Sequence, residues 1–515
     1  MKNKISFKTV FKIGSATVLM ILILCMTLSV FSCSQNNSGN NDSNTNSSQG
    51  ISNNSDTANT SESSTEAPKI LSDAPVKDYG GYTFRILSKP SNTVNHHWDA
   101  KDIVATEETG DIINDAVYKR NTTICDEYNI KITRTENDTP SSLLQKSVKA
   151  GSDDYDLMFS GIGDTVGPAQ NGVLINLKNI PYIDLTKPWY DQNANSQLSI
   201  DNKLYTTFCD FTIVDKDSTW VYLFNKKLIQ DLGLENPYQL VKDGKWTIDK
   251  MTEMCKGASK DLNGDGVMTW EDQFGWEGEC WDMNPGIISA GVQLTSKDSS
   301  DLPVYNGLDD KGMTAFTKLL TLLGDKNLCL RSDDVTSYTG DLWADVMDRS
   351  FTDGRILFLN GGMNRVTLFR SMDTDFGIIP SPKFDENQSD YCNTVTQFSA
   401  TSLAVPATAS DLERTGILTD ALCAESHYTL IPAYYDVQLK TKLARDDDSG
   451  EMLDLIFSTR RFELSLIYGW GSLSDIFTNA MKNNTADITS SLEKAASKVQ
   501  TAIQKTIDAY SSNQN

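Results

Sequence analysis

At 515 residues the chain exceeds the ~250 to 300 residues at which a single hydrophobic core stops growing, which excludes one compact domain and predicts two or three. It carries 46 Lys and Arg against 69 Asp and Glu, a formal net charge of −23. So acidic a balance excludes nucleic acid as a partner, because phosphate binding needs clustered Lys and Arg.

Lys2, Lys4, Lys8 and Lys12 precede an uncharged run, SATVLMILILCMTLSVFS, that ends at Cys33. A positive region, an apolar region and a cleavage position in that order predict an export signal over 1–32. The residues VFSC resemble the lipobox of bacterial lipoproteins, with Phe31 where a small or branched residue is usual. The resemblance implies lipidation of Cys33, with a transmembrane anchor or a plainly secreted chain as the alternatives. Residues 33–78 begin with a Ser-, Asn- and Thr-rich tract that can bury almost nothing, which predicts a disordered tether holding the folded part clear of a membrane.

Beyond the tether, GYTFRIL (Gly81 to Leu87) alternates and predicts a first strand. A helix follows in TGDIINDAVYKRNTTICDEYN, where Ile112, Ala116, Ile124 and Tyr128 share one face. IKITRT is then a strand, PSSLLQKSVKAG a helix and YDLMFSG a strand ending at Gly161. Later strands are TWVYLFN (Thr219 to Asn225), GRILFLNGG (Gly354 to Gly362) and FGIIPSP (Phe376 to Pro382), with helices between them and a long last helix from Ile488. The alternation predicts an α/β fold with parallel sheet covered on both faces. Cys125, Cys209, Cys255, Cys280, Cys329, Cys392 and Cys423 form no C-x-x-C pair and read as small buried hydrophobes, a Cys255–Cys280 disulfide being the alternative.

In order and wording, YDLMFSG, NKLYTTFCDF, LFNKKLIQDLGLENPYQLVKDGKWTIDKM, KDLNGDGVMTWEDQFGW and DFGIIPSPKFDENQ are similar to the extracellular solute-binding lipoproteins of bacterial ABC importers, in the large carbohydrate-binding group. The resemblance runs from about Gly81 to the C-terminus. It implies a two-lobed periplasmic-binding-protein-like fold, with the solute held in the cleft and hinge strands crossing between lobes. Lobe 1 is expected over 79–217 and 373–425, and lobe 2 over 218–372 and 426–515. The implied partners are a sugar, the permease and ATPase subunits of the importer, and the membrane through Cys33. The implied location is the extracellular face of the cell membrane, and the protein is expected to be a monomer and not an enzyme.

DLNGDGVMTWED (261–272) follows the EF-hand order: Asp261, Asn263 and Asp265 at positions one, three and five, Gly266 at six, the Val267 carbonyl at seven and Asp272 at twelve. Asp at position twelve has a shorter reach than the usual Glu. Acidic groups this close repel one another unless a cation neutralises them, so the expectation is a structural Ca2+ bracing the second lobe; a metal-free Asx-rich turn is the alternative.

Sugar sites pair aromatic platforms with polar side chains that bond hydroxyls. Trp276, Glu277 and Trp281 are expected in the loop after the strand QFGW that follows the calcium loop, in FGWEGECWDMN, and Trp470 sits in YGWGS between late helices. By resemblance, LNGGMN places Asn360, Gly361 and Met363 at the cleft, with Met363 where many relatives have an aromatic. Lobe 1 is expected to contribute Ser88, Ser160, Gly161 and Trp98, and the crossing strand Ser218 and Trp220. Each tryptophan has core as its alternative. His96 and His97 lack metal-spaced partners, and GIGDTVG (Gly161 to Gly167) departs from the dinucleotide-binding spacing. The rival functions are the same fold serving a non-sugar solute or a sensor, and an exported glycosidase, whose carboxylates spacing alone cannot identify.

Overall fold

The structure, a computed structural model, describes residues 69–90, 102–440 and 448–513. The export signal, Cys33, most of the tether, His96, His97 and Trp98 lie outside the described residues. Thirteen strands occur among the described residues: β1 (Tyr82–Ser88), β2 (Ile130–Glu136), β3 (Leu157–Gly161), β4 (Trp220–Asn225), β5 (Phe274–Gly278), β6 (Thr295–Lys297), β7 (Pro303–Tyr305), β8 (Cys329–Arg331), β9 (Ile356–Gly362), β10 (Phe376–Ile379), β11 (Asn393–Thr394), β12 (Thr401–Ala404) and β13 (Arg460–Arg461).

Two larger sheets organise the chain. The first runs β12-β3-β1-β2 and the second β10-β4-β9-β5-β8. Every residue of β3, β4, β5 and β9 is buried, which is why these segments read as near-continuous apolar runs. The sheets are mixed, not parallel as the alternation suggests. β1 pairs parallel with β2 and β3, but β12 joins β3 antiparallel, and β4 runs antiparallel to both β9 and β10. The antiparallel strands are those next to the crossings, where the chain enters a sheet from the other lobe and no βαβ unit sets its direction.

The helix Ile112–Tyr128 starts where Asp111 accepts the amides of Ile113 and Asn114, and it ends at Asn129 in the left-handed region (φ 48°). Its buried face is one residue out from the expected one at its start: Ile113 is buried and Ile112 exposed, while Ala116, Ile124 and Tyr128 are buried as expected. The helix Pro140–Lys149 begins with proline, whose missing N–H costs nothing in a first turn.

The return from lobe 2 to lobe 1 falls later than Asp373. β10 (Phe376–Ile379) belongs to the second sheet beside β4, and the chain regains the first sheet only at β12. Gly377 shows how tightly β10 is bound there, since a Cβ on it would lie 2.3 Å from the Phe224 ring. The crossings at 213–219 and 393–400 are joined: Thr219 bridges Val395, and Thr396 N donates to Ser218 O at 3.1 Å. A third connection follows the helix Leu412–Tyr428, which packs on Ile112–Tyr128, and leads to Asp448–Ser458, which packs on β10.

The last helix, Thr489–Ser512, buries Ala495, Val499, Ile503, Thr506 and Tyr510. It does not belong to lobe 2 alone, because Gln170 Nε2 of lobe 1 donates to Thr506 Oγ1 at 2.8 Å and Asn513 Nδ2 donates to Ala169 O at 2.9 Å. All seven described cysteines are free, so Cys255 and Cys280 are not bonded; Cys209, Cys255, Cys280, Cys329 and Cys423 are buried. No helix among the described residues is long and apolar enough to cross a membrane.

Candidate functional site

The C-terminal ends of β5 and β9 open onto a cavity of about 450 Å3. Its floor is Gly278, Asn360, Gly361 and Gly362, and its sides are Trp220, Glu279, Asp282, Trp343, Asp348 and Arg365. Thr396, Phe398 and Ser399 close it from the second crossing. Strand ends facing a crossing between lobes are where open α/β sheets bind ligands. A cavity of about 680 Å3 elsewhere is walled by residues of 193–197, 293–297, 390–392 and 458–464, none of them an end of a strand in either larger sheet.

Phe398 is the most exposed aromatic ring of the cleft, at 63 %. Lobe 1 holds its backbone: Lys89 Nζ donates to Phe398 O at 3.2 Å, Gly163 N to Gln397 O at 3.0 Å and Ile162 N to Ala400 O at 2.9 Å. Behind the cavity wall, Trp281 packs edge-on against both Phe398 (5.8 Å between centroids) and Trp220 (5.5 Å). This row links the second crossing to β4 through aromatic contacts.

Charge in the site is dominated by carboxylates. Asp282 accepts the Trp220 indole N–H and the Glu279 amide, each at 2.8 Å. Burial, with Glu279 beside it, pushes the Asp282 carboxyl well above the usual range despite those two donors. Burial, then Asp333, raises Glu279, and burial raises Glu277 well above its ordinary value although Arg365 opposes it. Arg365 is paired with Asp348 and lies 5.2 Å over the Trp343 ring. Burial lowers its pKa, against the pull of Glu277, Glu279 and Asp282.

Of the residues expected at the cleft, Trp220, Asn360 and Gly361 line it and Trp281 stands directly behind it. Gly161 approaches from lobe 1, where a Cβ would lie 2.6 Å from Phe398 O. Ser218 is buried, with Oγ 2.6 Å from Val214 O and 3.1 Å from Ser399 Oγ, so it braces the wall. Ser160 is buried against Ser141, and Ser88 accepts Arg134 Nε at 2.6 Å.

Three expectations are corrected. Trp276 is fully buried in β5 and Glu277 is 1 % exposed beside it, because both lie within the strand, between β8 and β9 with both faces covered, and not in the loop after it; Glu279 and Asp282 stand at the cavity instead. Met363 is fully buried beneath the β9 turn. Trp470 is 2 % exposed, donates to Thr506 Oγ1 of the last helix at 3.2 Å and does not line the strand-end cavity. No sequence signal marks Trp343, Arg365 or Phe398 as site residues, and Phe398 lies in a crossing that the placement at Asp373 hides.

In the loop 261–272, Asp261 accepts the amides of Gly264 (2.7 Å) and Gly266 (2.8 Å), while Asn263 and Asp265 accept those of Asp265 and Val267 at 2.8 Å each. Gly264 and Gly266 adopt φ of 74° and 82°, which makes the turn. Asp272 is buried and receives Leu262 N at 2.9 Å and Thr269 N at 2.8 Å; burial works to raise its carboxyl, but these amides outweigh it and hold it below the usual range. Among the described residues no three His, Cys, Asp or Glu side chains gather into a metal-holding group, so a cation here would depend also on Asn263 and main-chain oxygen.

No protein-family model and no curated protein matches the chain. Solved structures do. A cyclic alpha-maltosyl-1,6-maltose binding protein from Arthrobacter globiformis aligns with a TM-score of 0.56 at 14 % identity, over 82 % of this chain and 100 % of that one. An ABC substrate-binding protein from Listeria monocytogenes in complex with cycloalternan aligns with a TM-score of 0.51 at 13 % identity, over 84 % and 98 %. A sugar transporter from Rhizobium etli in an open conformation gives 0.51 at 14 %, over 84 % and 100 %. At such identities the likeness is one of fold, and the chain has the two-lobed α/β fold of solute-binding proteins.

Proposed function

We propose that this chain is the solute-binding component of an ABC importer, capturing a carbohydrate, of oligosaccharide size, and delivering it to a membrane permease. The observation that carries this reading is the cavity at the strand ends, lined by Trp220, Trp343 and the exposed ring of Phe398 beside Asn360, Glu279 and Arg365. Apolar C–H faces stack on such rings while hydroxyls meet the polar groups. Three structures of the same fold are a complex with cycloalternan, a cyclic alpha-maltosyl-1,6-maltose binding protein and a sugar transporter, which supports the class of ligand. The protein acts by binding, with ligand favouring closed lobes, and makes or breaks no bond.

In this proposal Cys33 carries the lipid anchor that holds a monomer at the outer face of the cell membrane, and a Ca2+ ion sits in the loop 261–272 held by Asp261, Asn263, Asp265, Val267 O and Asp272. Oxygen-only donors and the glycine-made turn suit such a hard cation. The test is a thermal-shift panel on the full chain, with calcium, against mono- and oligosaccharides and peptide controls, with mass analysis of each sugar afterwards. A selective shift with unchanged sugar is the expected result. Turnover of the sugar, or a response to peptides alone, refutes the assignment.

A further inference from the structure

The walls of the cleft hold Glu279, Asp282, Asp341 and Asp348 against a single cation, Arg365. Arg365 is committed to Asp348 and to the face of Trp343, and the Asp282 oxygens receive the Trp220 indole and the Glu279 amide. Neither Glu279 nor Asp341 has a salt bridge among the described residues. A second, independent feature lies in the same wall: Asn360, 8 % exposed, has its carbonyl oxygen Oδ1 buried and without a hydrogen-bond partner. An unsatisfied buried acceptor is costly, and beside it Asp341 carries, among the described residues, only the amides of Trp343 (3.2 Å) and Ala344 (3.1 Å), so this wall is met best by a ligand that brings donors. A sugar hydroxyl brings one donor and also acceptor lone pairs that this wall can meet poorly; an ammonium brings three donors, no acceptor and the opposite charge.

We infer that the solute of this cleft is a saccharide carrying a protonated amine, with its ammonium group among Glu279, Asp341 and Asn360 Oδ1 and a ring face against Phe398. This rests on the saccharide-binding reading above and narrows its ligand class. The chain's formal charge of −23 favours encounter with such a cation. The Asp348–Arg365 pair stays intact in the complex, since Arg365 already has its counter-ion.

The test is calorimetric titration of the full chain at low salt with matched triplets: glucosamine, N-acetylglucosamine and glucose, and the β-1,4-linked dimers and tetramers of each, with trilysine as a peptide control. The amine is expected to bind about tenfold tighter than its N-acetyl and hydroxyl counterparts, with the advantage shrinking in high salt. Glu279→Gln and Asp341→Asn should each remove that preference with no loss of melting temperature. Equal or tighter binding of the neutral members overturns the inference and leaves the saccharide reading standing. Binding of trilysine alone, or of no probe, overturns both.

Discussion

Trp276 and Phe398 make opposite uses of an aromatic ring. Trp276 is fully buried between β8 and β9, so Trp276→Ala should cost about 3–5 kcal/mol through the cavity it leaves, read by urea denaturation. Phe398→Ala removes a ring that is 63 % exposed, so stability should change by about 0.5 kcal/mol or less while affinity for the bound saccharide falls about tenfold. Equal affinity in Phe398→Ala would remove the cleft assignment. Composition and local wording mark tryptophans as candidates but do not separate these cases. Which face a strand residue takes depends on its register with β8 and β9, and those partners come from 50 or more residues along the chain.

Glu277 shows the same limit in its charge. Its carboxyl is buried without a partner for Oε2, and burial raises its pKa well above the usual value. The folded state therefore binds its proton more tightly than the unfolded chain does, near pH ~4.3. Its contribution to stability is present below that pH and is lost as pH rises toward the folded value. Glu277→Gln keeps the shape and removes this term. Its melting temperature should match the wild type at about pH 4 and exceed it at pH 8; a difference independent of pH would contradict the linkage.

At the scale of elements, the loop 261–272 is the part most legible in advance, because its spacing is local and its turn glycines are needed wherever the loop sits. If it holds calcium, saturation at a hundred times Kd adds about 2.7 kcal/mol to stability. Chelation should then lower the melting temperature, and Asp265→Ala should abolish the dependence on calcium. A melting curve unmoved by chelator would leave the loop as a metal-free Asx turn. The strands and their order were legible for a similar reason, since β1 to β5, β9 and β10 announce themselves by local pattern. Strand direction was not, because β4, β10 and β12 run antiparallel for reasons of crossing rather than of local sequence.

For the molecule as a whole, the decisive region is where the lobes join, and its strongest fixture could not be read from any motif. Arg460, in β13, pairs with Asp215 of the first crossing at 2.9 Å and also with Asp191, which caps the helix Gln192–Leu198 of lobe 1. All three side chains are largely buried, and β13 itself pairs with β11 of the second crossing. The guanidinium thus ties the first crossing to lobe 1, and the backbone of β13 holds the second crossing beside it. Without the guanidinium Asp191 would be buried with no cation and Asp215 would keep only Lys216 at 3.4 Å, so Arg460→Met should destabilise by about 3 kcal/mol. The cost comes from the stranded charges rather than from a lost attraction, because a buried pair repays little more than its own desolvation. The triple variant with Asp191→Asn and Asp215→Asn should therefore recover most of the stability in urea denaturation. It should also bind the saccharide more weakly than the wild type, since the crossing that carries Ser218, to which the Phe398 crossing is bonded, loses its tie to Asp191 of lobe 1. If the triple variant is no more stable than Arg460→Met alone, the three residues do not act as one network and the lobes are joined by packing instead.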